Sequence, residues 1–204
     1  MRKSFLVAAA VGAASLAAPA NAVVALKLEI SNALGSYLQV PEVQAVTSGA
    51  VNVAASANGG VASAALPGTW NFASTPAGAI DGVIQSNFNF SPNPGDLTMY
   101  HPADSNPGHA LIVTFAALSD ITQINIWGRT DCCSERDLYA YRLLDASGAV
   151  VASGQLDARA TNFASVSLAS AVPEASTWAM MISGFGFIGA AMRRRKVATT
   201  VRFA

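Results

Sequence analysis

The chain has 204 residues, and its twelve basic and twelve acidic side chains give a formal net charge of zero at pH 7. The charges are segregated, because residues 23–172 hold five basic against eleven acidic side chains, a net charge of −6. An acidic body repels polyphosphate, so we expect no nucleic acid partner. About 150 residues suffice for one domain with its own core.

Residues 1–22 predict a signal peptide. Arg2 and Lys3 precede an apolar run from Phe5 to Ala18, and the small residues Ala20 and Ala22 suit a cleavage site. The run is too short for a membrane anchor, and its exit is typical of secreted chains. We therefore expect export, with a mature chain that begins near Val23 in an oxidising compartment where a disulfide persists.

Residues 23–171 show the alternation of short β-strands. In the segments "VALKLEI" and "ITQINIW", apolar residues alternate with polar ones, and turn-forming Gly, Pro, Asn, Asp and Ser separate the segments. No long apolar period of 3.6 residues interrupts them. The pattern predicts one all-β domain, a β-sandwich or jelly roll.

The C-terminal residues predict a short membrane helix. The stretch from Trp178 to Met192 carries no charge, and the basic cluster "RRRK" (residues 193–196) follows it. Fifteen residues at about 1.5 Å each span about 22 Å, which is marginal for a bilayer. The basic cluster and the tail 197–204 would remain cytoplasmic.

Residues 172–196 resemble the PEP-CTERM sorting signal of Gram-negative bacteria. The resemblance is carried by Pro173-Glu174, Trp178, the Gly-rich apolar stretch and the arginines, although Ala175 stands where the family usually has a second proline. It implies that the helix over residues 178–192 is transient and that an exosortase cleaves near Pro173-Glu174. The chain would then pass from the inner membrane to the periplasm, the outer surface or the exopolysaccharide matrix. An ordinary tail anchor is the alternative.

The octet "RTDCCSER", residues 129–136, contains the only two cysteines of the chain, side by side. A bond between adjacent cysteines closes no loop, so it adds almost none of the usual chain-entropy stabilisation. Zinc needs about four ligands, and only His101 and His109 are available to help. What remains is local shape: a flat apolar surface between Arg129 and Arg136, with Asp131 and Glu135 to hold the arginines. Such a surface suits a sugar, which has C–H faces and hydroxyl edges.

The octet also resembles the fucose-binding motif of F-type lectins, which have the discoidin-like (coagulation factor type C) galactose-binding fold, a jelly-roll β-sandwich. The resemblance implies that Arg129 and Arg136 donate to the sugar, that the Cys132–Cys133 disulfide stacks on it, and that His101 is a further contact. Gly108 and His109 stand where the family often has two tryptophans. The alternative is a structural Arg129–Asp131 pair without a sugar site.

A metal site follows from the same resemblance. The segment "AIDG" (residues 79–82) is similar to the family's calcium loop, which implies Asp81 as a carboxylate ligand and backbone oxygens from Gly78 and Val83. The family's second carboxylate lies in its last strand, and here only "SYLQVPEVQAV" (residues 36–46) matches that strand. The resemblance therefore implies a circular permutation, which close domain termini tolerate. It places Glu42 and the Pro41 carbonyl beside Asp81 around a structural Ca²⁺.

These patterns predict an exported, non-catalytic, carbohydrate-binding surface protein. Its expected partners are a glycan or exopolysaccharide and the exosortase, with membrane contact only through the C-terminal helix. The alternative is a structural matrix or adhesion module on the same fold without a working sugar site. An enzyme is not expected, since there are two histidines, no G-x-S-x-G motif and no metal-hydrolase spacing.

Overall fold

The computed structural model describes residues 22–84, 87–96, 98–168 and 180–186. Residues 1–21 of the predicted signal peptide, the exosortase cleavage site and the cytoplasmic tail lie outside these ranges. Two units are distinguished in the chain: residues 21–170 form one, and residues 1–20 with 171–204 form the other. All strands described below belong to the first unit.

The first unit is an antiparallel β structure, so the predicted all-β class is confirmed. Within the described ranges the strands are β1 Val23–Asn32, β2 Glu42–Thr47, β3 Val61–Ala64, β4 Ala110–Trp127, β5 Leu138–Leu144, β6 Val150–Asp157 and β7 Phe163–Ser167. Three single 3₁₀ turns cover Ser56–Asn58, Pro76–Ala79 and Ser134–Arg136. The last two turns lie in the segments predicted to hold the metal and the sugar.

The long strand β4 joins two sets of strands. Its first half pairs with β1 and β3, and β1 continues the order to β5 and β6; its second half pairs with β2 on one side and β7 on the other. The register with β1 shifts where Ala25 faces Ser119 and Lys27 faces Thr114. Such a bulge bends a strand, which allows β4 to serve both sets.

One hydrophobic core lies between these strands. The buried positions of β4 alternate through Leu111, Val113 and Phe115, and then change phase between Ile121 and Ile124. The change coincides with a register shift of β2 between Val46 and Thr47. Because side chains alternate across a strand, an extra residue at a bulge keeps both halves of β4 facing the core.

The pairings place the chain ends of this unit together. Val23 faces Ile121, and the backbone N–H of Leu168 donates to the carbonyl oxygen of Thr122. At the opposite end, the Ala33 N–H donates to the Leu138 carbonyl and the Gly128 N–H to the Asn162 carbonyl. The loops that carry the candidate site belong to this opposite end.

Residues 180–186 of the second unit are helical, which agrees with the predicted short C-terminal helix. The rest of the predicted helix 178–192 lies outside the described residues. Within the described ranges, no helix reaches the length and apolar character that a membrane crossing requires.

Candidate functional site

A pocket of about 180 Å³ opens at the loop end of the domain. It is lined by Tyr37, Gln39, Trp70, Phe90, His101, Arg129, Cys132, Cys133 and Arg136. The structure therefore brings together all five residues that were predicted to contact a sugar, although His101 comes from a loop 28 positions before Arg129. Four lining residues were not predicted.

The octet loop is held by a disulfide between adjacent residues. Cys132 and Cys133 are bonded with their Cα atoms 3.8 Å apart, and Cys133 has a left-handed φ of +63°. The Arg136 N–H then donates to the Cys133 carbonyl oxygen and the Asp137 N–H to that of Ser134. This tight turn returns the chain so that Arg129 and Arg136 line the same pocket.

Arg129 is fixed from two sides. Its Nε and Nη2 donate to the two carboxylate oxygens of Asp131 at 2.8 and 2.5 Å, and its guanidinium carbon lies 5.2 Å from the ring centre of Phe88. The Arg129 hydrogen bond, opposed in part by desolvation, holds the pKa of Asp131 below its ordinary value. Since only 3% of the Arg129 side chain is exposed, the pair sets the orientation of a buried cation.

Arg136 is the more accessible cation of the pocket. Its guanidinium carbon lies 5.6 Å from the ring centre of Tyr37, and its Nε is 3.4 Å from the exposed carboxylate of Glu135. An exposed ion pair of this kind holds a side chain weakly. The loop itself is fastened by Asn32, whose Nδ2 donates to the carbonyl oxygens of both Arg136 and Tyr37.

His101 is buried, and its ring has two polar neighbours. Its Nδ1 lies 2.8 Å from the Pro102 carbonyl oxygen, and its Nε2 lies 2.8 Å from Nε2 of Gln39. Burial lowers the pKa of His101, and the charges of Arg129 and Arg136 lower it further. The neutral ring then donates from Nδ1 to Pro102 and accepts from the Gln39 amide at Nε2. The buried Oε1 of Gln39 has no hydrogen-bond partner among the described residues.

Asp137 supports the loop from below and was not predicted. It is buried, and its two carboxylate oxygens accept from the Arg129 N–H at 2.8 Å and from the Tyr139 hydroxyl at 3.0 Å. Burial raises the pKa of Asp137 to about 6, although these donors oppose the rise. Its carboxylate lies so close to Gly128 that a Cβ there would meet Oδ2 at 2.4 Å. The glycine that precedes Arg129 is thus a packing requirement.

The sequence offered one signal for the unpredicted aromatic residues. Trp70 and Phe90 belong to the triplets "WNF" and "FNF", aromatic–Asn–aromatic patterns in Gly- and Pro-rich loops. Loops of this kind lie at the surface and do not form the core. Aromatic residues in them therefore indicate a function at the surface. Tyr37 and Gln39 carry no comparable signal, because they lie in a segment that was interpreted as strand and metal site.

The second predicted site is centred on a buried carboxylate. Glu42, the first residue of β2, is 0% exposed, and neither of its carboxylate oxygens has a hydrogen-bond partner among the described residues. Desolvation raises the pKa of Glu42 to about 8; the nearby Gly82 N–H opposes this and the negative charge of Asp81 adds to it. Glu42 is therefore a buried residue at the start of β2 and not a solvent-exposed one.

The remaining predicted metal ligands differ in burial, and Val83 is exposed. Asp81 follows the Pro76–Ala79 turn, and its Oδ1 accepts from the Val83 N–H at 2.7 Å. Pro41 and Gly78 are buried, and a Cβ on Gly78 would lie 1.6 Å from the Thr98 carbonyl oxygen. Across the described ranges no three His, Cys, Asp or Glu side chains come together as a metal cluster. The two carboxylates nevertheless fit a hard cation, since the oxygens of buried Glu42 accept no hydrogen bond from the described residues.

Comparison with known families identifies the C-terminal segment. Residues 171–196 match the PEP-CTERM protein-sorting motif, which confirms the predicted sorting signal. The motif implies an exported protein of Gram-negative bacteria that an exosortase processes. Searches among curated proteins and among solved structures gave no match.

Proposed function

We propose that the domain of residues 23–171 is a non-catalytic lectin that binds a fucose-like sugar at the surface of the cell or in the exopolysaccharide matrix. The observation that carries this proposal is the convergence of His101, Arg129, Arg136 and the Cys132–Cys133 disulfide on one small pocket. These residues were selected from the sequence for their resemblance to the fucose motif of F-type lectins.

The chemistry of the pocket supports a sugar as its ligand. The disulfide offers an apolar surface for the C–H face of a pyranose, and Arg136 offers charge-assisted donors for its hydroxyls. Oε1 of Gln39, which accepts no hydrogen bond from the described residues, is an acceptor for a further hydroxyl. A buried acceptor without a partner is costly, and a bound hydroxyl would remove that cost.

We further propose that Ca²⁺ is a structural cofactor of this domain. Glu42 and Asp81 would hold it, with backbone oxygens of Pro41, Gly78 and Val83. The cation would supply a positive charge to compensate the buried carboxylate of Glu42. Its role would be to join β2 to the loop that follows the Pro76–Ala79 turn.

The circular permutation is part of the same proposal. β1 and β2 do not form a separate hairpin, because β1 pairs with β4 and β5 while β2 pairs with β4. Glu42 lies close enough to Asp81, 39 positions later, for the aspartate charge to raise the pKa of Glu42. That arrangement is the one expected if the two last strands of the family fold stand first here.

The direction of the strands suits display. β7 runs from Phe163, opposite Trp127 near the pocket loops, to Ser167, opposite Gln123. The chain therefore leaves the domain at the end remote from the pocket, five residues before Pro173. A domain held at that end would present its pocket outward.

A structural matrix or adhesion module is the second candidate. Two pocket residues already have hydrogen-bond partners within the domain, which favours this candidate. Arg129 is paired with Asp131, and His101 Nε2 contacts Gln39. A working site would have to exchange the Gln39 contact for one with the ligand.

A glycan array separates the two candidates. The full chain in detergent should bind fucosylated glycans in calcium and lose binding in EDTA. An intact protein that binds no glycan in either buffer would favour the matrix module.

A further inference from the structure

Three large aromatic side chains lie exposed on the loops beside the pocket. The exposed fractions are 47% for Trp70, 60% for Phe72 and 64% for Phe90. Trp70 and Phe90 also line the pocket, so each reaches from its wall out to solvent. Exposed aromatic surface of this kind is characteristic of an interaction site.

The two aromatic loops are fastened to each other. Asn71 Nδ2 donates to the Asn89 carbonyl oxygen at 3.0 Å, and Asn71 Oδ1 accepts from the Ala73 N–H and the Ser74 hydroxyl. Asn71 stands between Trp70 and Phe72, and Asn89 stands between Phe88 and Phe90. The bond between the two asparagines thus fixes the backbone that carries the exposed rings.

The rings also rest on the wall of the pocket. The ring centre of Trp70 lies 5.1 Å from that of His101 and 6.2 Å from that of Tyr37. Phe90 packs edge-to-face on Phe88 at 4.6 Å, and Phe88 lies 5.0 Å from His101. The exposed faces are therefore pre-organised, which reduces the entropy cost of binding.

The size of the pocket shows why such a rim is useful. At about 180 Å³ it is smaller than the roughly 300–1,000 Å³ usual for larger ligands, so it holds a single sugar residue. The rest of a longer glycan must cross the rim. Aromatic faces that stay apolar and uncharged match the C–H face of the next pyranose ring.

We propose that Trp70 and Phe90 form a second subsite that stacks the sugar residue next to the one in the pocket, so that the ligand is an oligosaccharide chain and not a free monosaccharide. This inference rests on the proposed lectin function. Phe72 extends the same surface away from the pocket.

A groove that begins beside Arg136 is a less suitable path for the rest of a longer glycan. An open groove of about 450 Å³ begins at Glu135, next to Arg136, and is lined also by Asp157, Arg159 and Ala160. None of the described residues that line it is aromatic, and Arg159 already forms a two-point pair with Asp157 at 2.8 and 2.7 Å. Arg159 therefore provides a matched control.

The test compares two sugars on one protein by calorimetry. The full chain in detergent and calcium is titrated with methyl α-L-fucoside and with 2′-fucosyllactose. We expect the trisaccharide to bind about tenfold more tightly, which corresponds to about 1.4 kcal/mol. Trp70→Ala and Phe90→Ala should each reduce this ratio towards one, whereas Arg159→Ala should keep it. Both aromatic variants should remain folded, with melting temperatures close to that of the wild type, since Trp70 and Phe90 are 47% and 64% exposed and lie outside the hydrophobic core.

The remaining outcomes are distinct. Equal affinity of the wild type for both sugars would overturn the second subsite and leave the lectin function standing. If only Arg159→Ala abolished the difference in affinity between the two sugars, the rest of the oligosaccharide would be assigned to the groove at Arg159, and the aromatic subsite would be overturned. The affinity ratio of the two sugars could also be the same in both aromatic variants as in the wild type. If the wild type then self-associates on sedimentation and the variants do not, the aromatic rim binds a second copy of the chain and the subsite is overturned. Binding of neither sugar would overturn both the function and the subsite.

Discussion

The backbone N–H of Arg129 donates to Oδ2 of Asp137 at 2.8 Å, and this bond fastens the start of the octet loop to its end. Asp137 is buried, so its carboxylate acts as an internal anchor for a loop whose side chains face the pocket. The arrangement depends on a glycine at position 128, because the Asp137 carboxylate leaves no room for a side chain there.

Replacement of Gly128 by alanine should therefore destabilise the domain. The new Cβ would lie 2.4 Å from Asp137 Oδ2, and the anchor would have to move. We expect a loss of about 1–3 kcal/mol in the free energy of unfolding, as for other overpacked sites. Gly49→Ala is the matched control, because the nearest atom to its Cβ is 3.8 Å away, and it should change stability by less than about 0.5 kcal/mol. Equal effects of the two substitutions in chemical denaturation would contradict this role of Gly128.

The buried Glu42 should make the calcium-free protein less stable as pH rises. Its pKa is about 8 in the folded chain against an ordinary value of 4.5, so folding favours the protonated form. The stabilising contribution is complete below pH 4.5 and is lost as pH rises to about 8, by at most about 1.4 kcal/mol per pH unit. Asp137, with a pKa of about 6, acts in the same direction between pH 3.8 and 6.

Denaturation in EDTA at pH 6 and pH 8 measures this effect. Glu42→Gln should flatten the pH dependence and raise the stability at pH 8, whereas Glu135→Gln on the exposed loop should leave it unchanged. In calcium, wild-type stability at pH 8 should rise and that of Glu42→Gln should not. A wild type that ignores calcium at pH 8 would argue against the cofactor.

Reduction of the Cys132–Cys133 bond should weaken sugar binding without unfolding the domain. The bond joins neighbours and closes no loop, so its loss removes little chain-entropy stabilisation. Circular dichroism in dithiothreitol should keep the β signature, while calorimetry shows weaker binding of fucose. A Cys132→Ser/Cys133→Ser variant should bind weakly with or without the reductant. Loss of the β signature on reduction would mean that the pair is structural.

The sorting motif predicts a defined C-terminus for the mature protein. Deletion of residues 171–196 should leave the protein periplasmic or freely secreted, because the segment that the exosortase recognises is gone. Mass spectrometry of the surface material should find no "RRRK" cluster in the wild-type protein. Surface protein that retains residues 193–204 would contradict exosortase processing.

The sequence predicted the fold class better than the details of the strands. The sequence predicts "ITQINIW" as a separate short strand, but in the structure it is the second half of the long strand β4, because Ser119 and Asp120 continue the pairing with β1 after a register shift. Alternation cannot show this, since a bulge changes the phase of the pattern. The proposed circular permutation rests on the resemblance alone.

The candidate site divides in a similar way. Arg129, Arg136 and the two cysteines are neighbours in the sequence, so the sequence alone predicted them as one site. Gln39, Trp70 and Phe90 come from loops at least 39 positions before Arg129, and only the tertiary fold brings them to the pocket. Asp137 directly follows the octet, yet its role depends on its burial. The sequence does not indicate that burial, because Asp137 follows another charged residue, Arg136.

Calorimetric titration with methyl α-L-fucoside tests the central claim most directly. The full chain in detergent and calcium should bind it in the micromolar to millimolar range. Arg136→Ala should weaken binding about tenfold or more, because it removes charge-assisted hydrogen bonds worth about 1.5–3 kcal/mol, while Arg159→Ala, which removes the same charge outside the pocket, should bind as the wild type does. Wild-type protein that is folded and calcium-loaded but binds no fucoside, or equal affinities of the two arginine variants, would contradict the assignment of this pocket to a sugar.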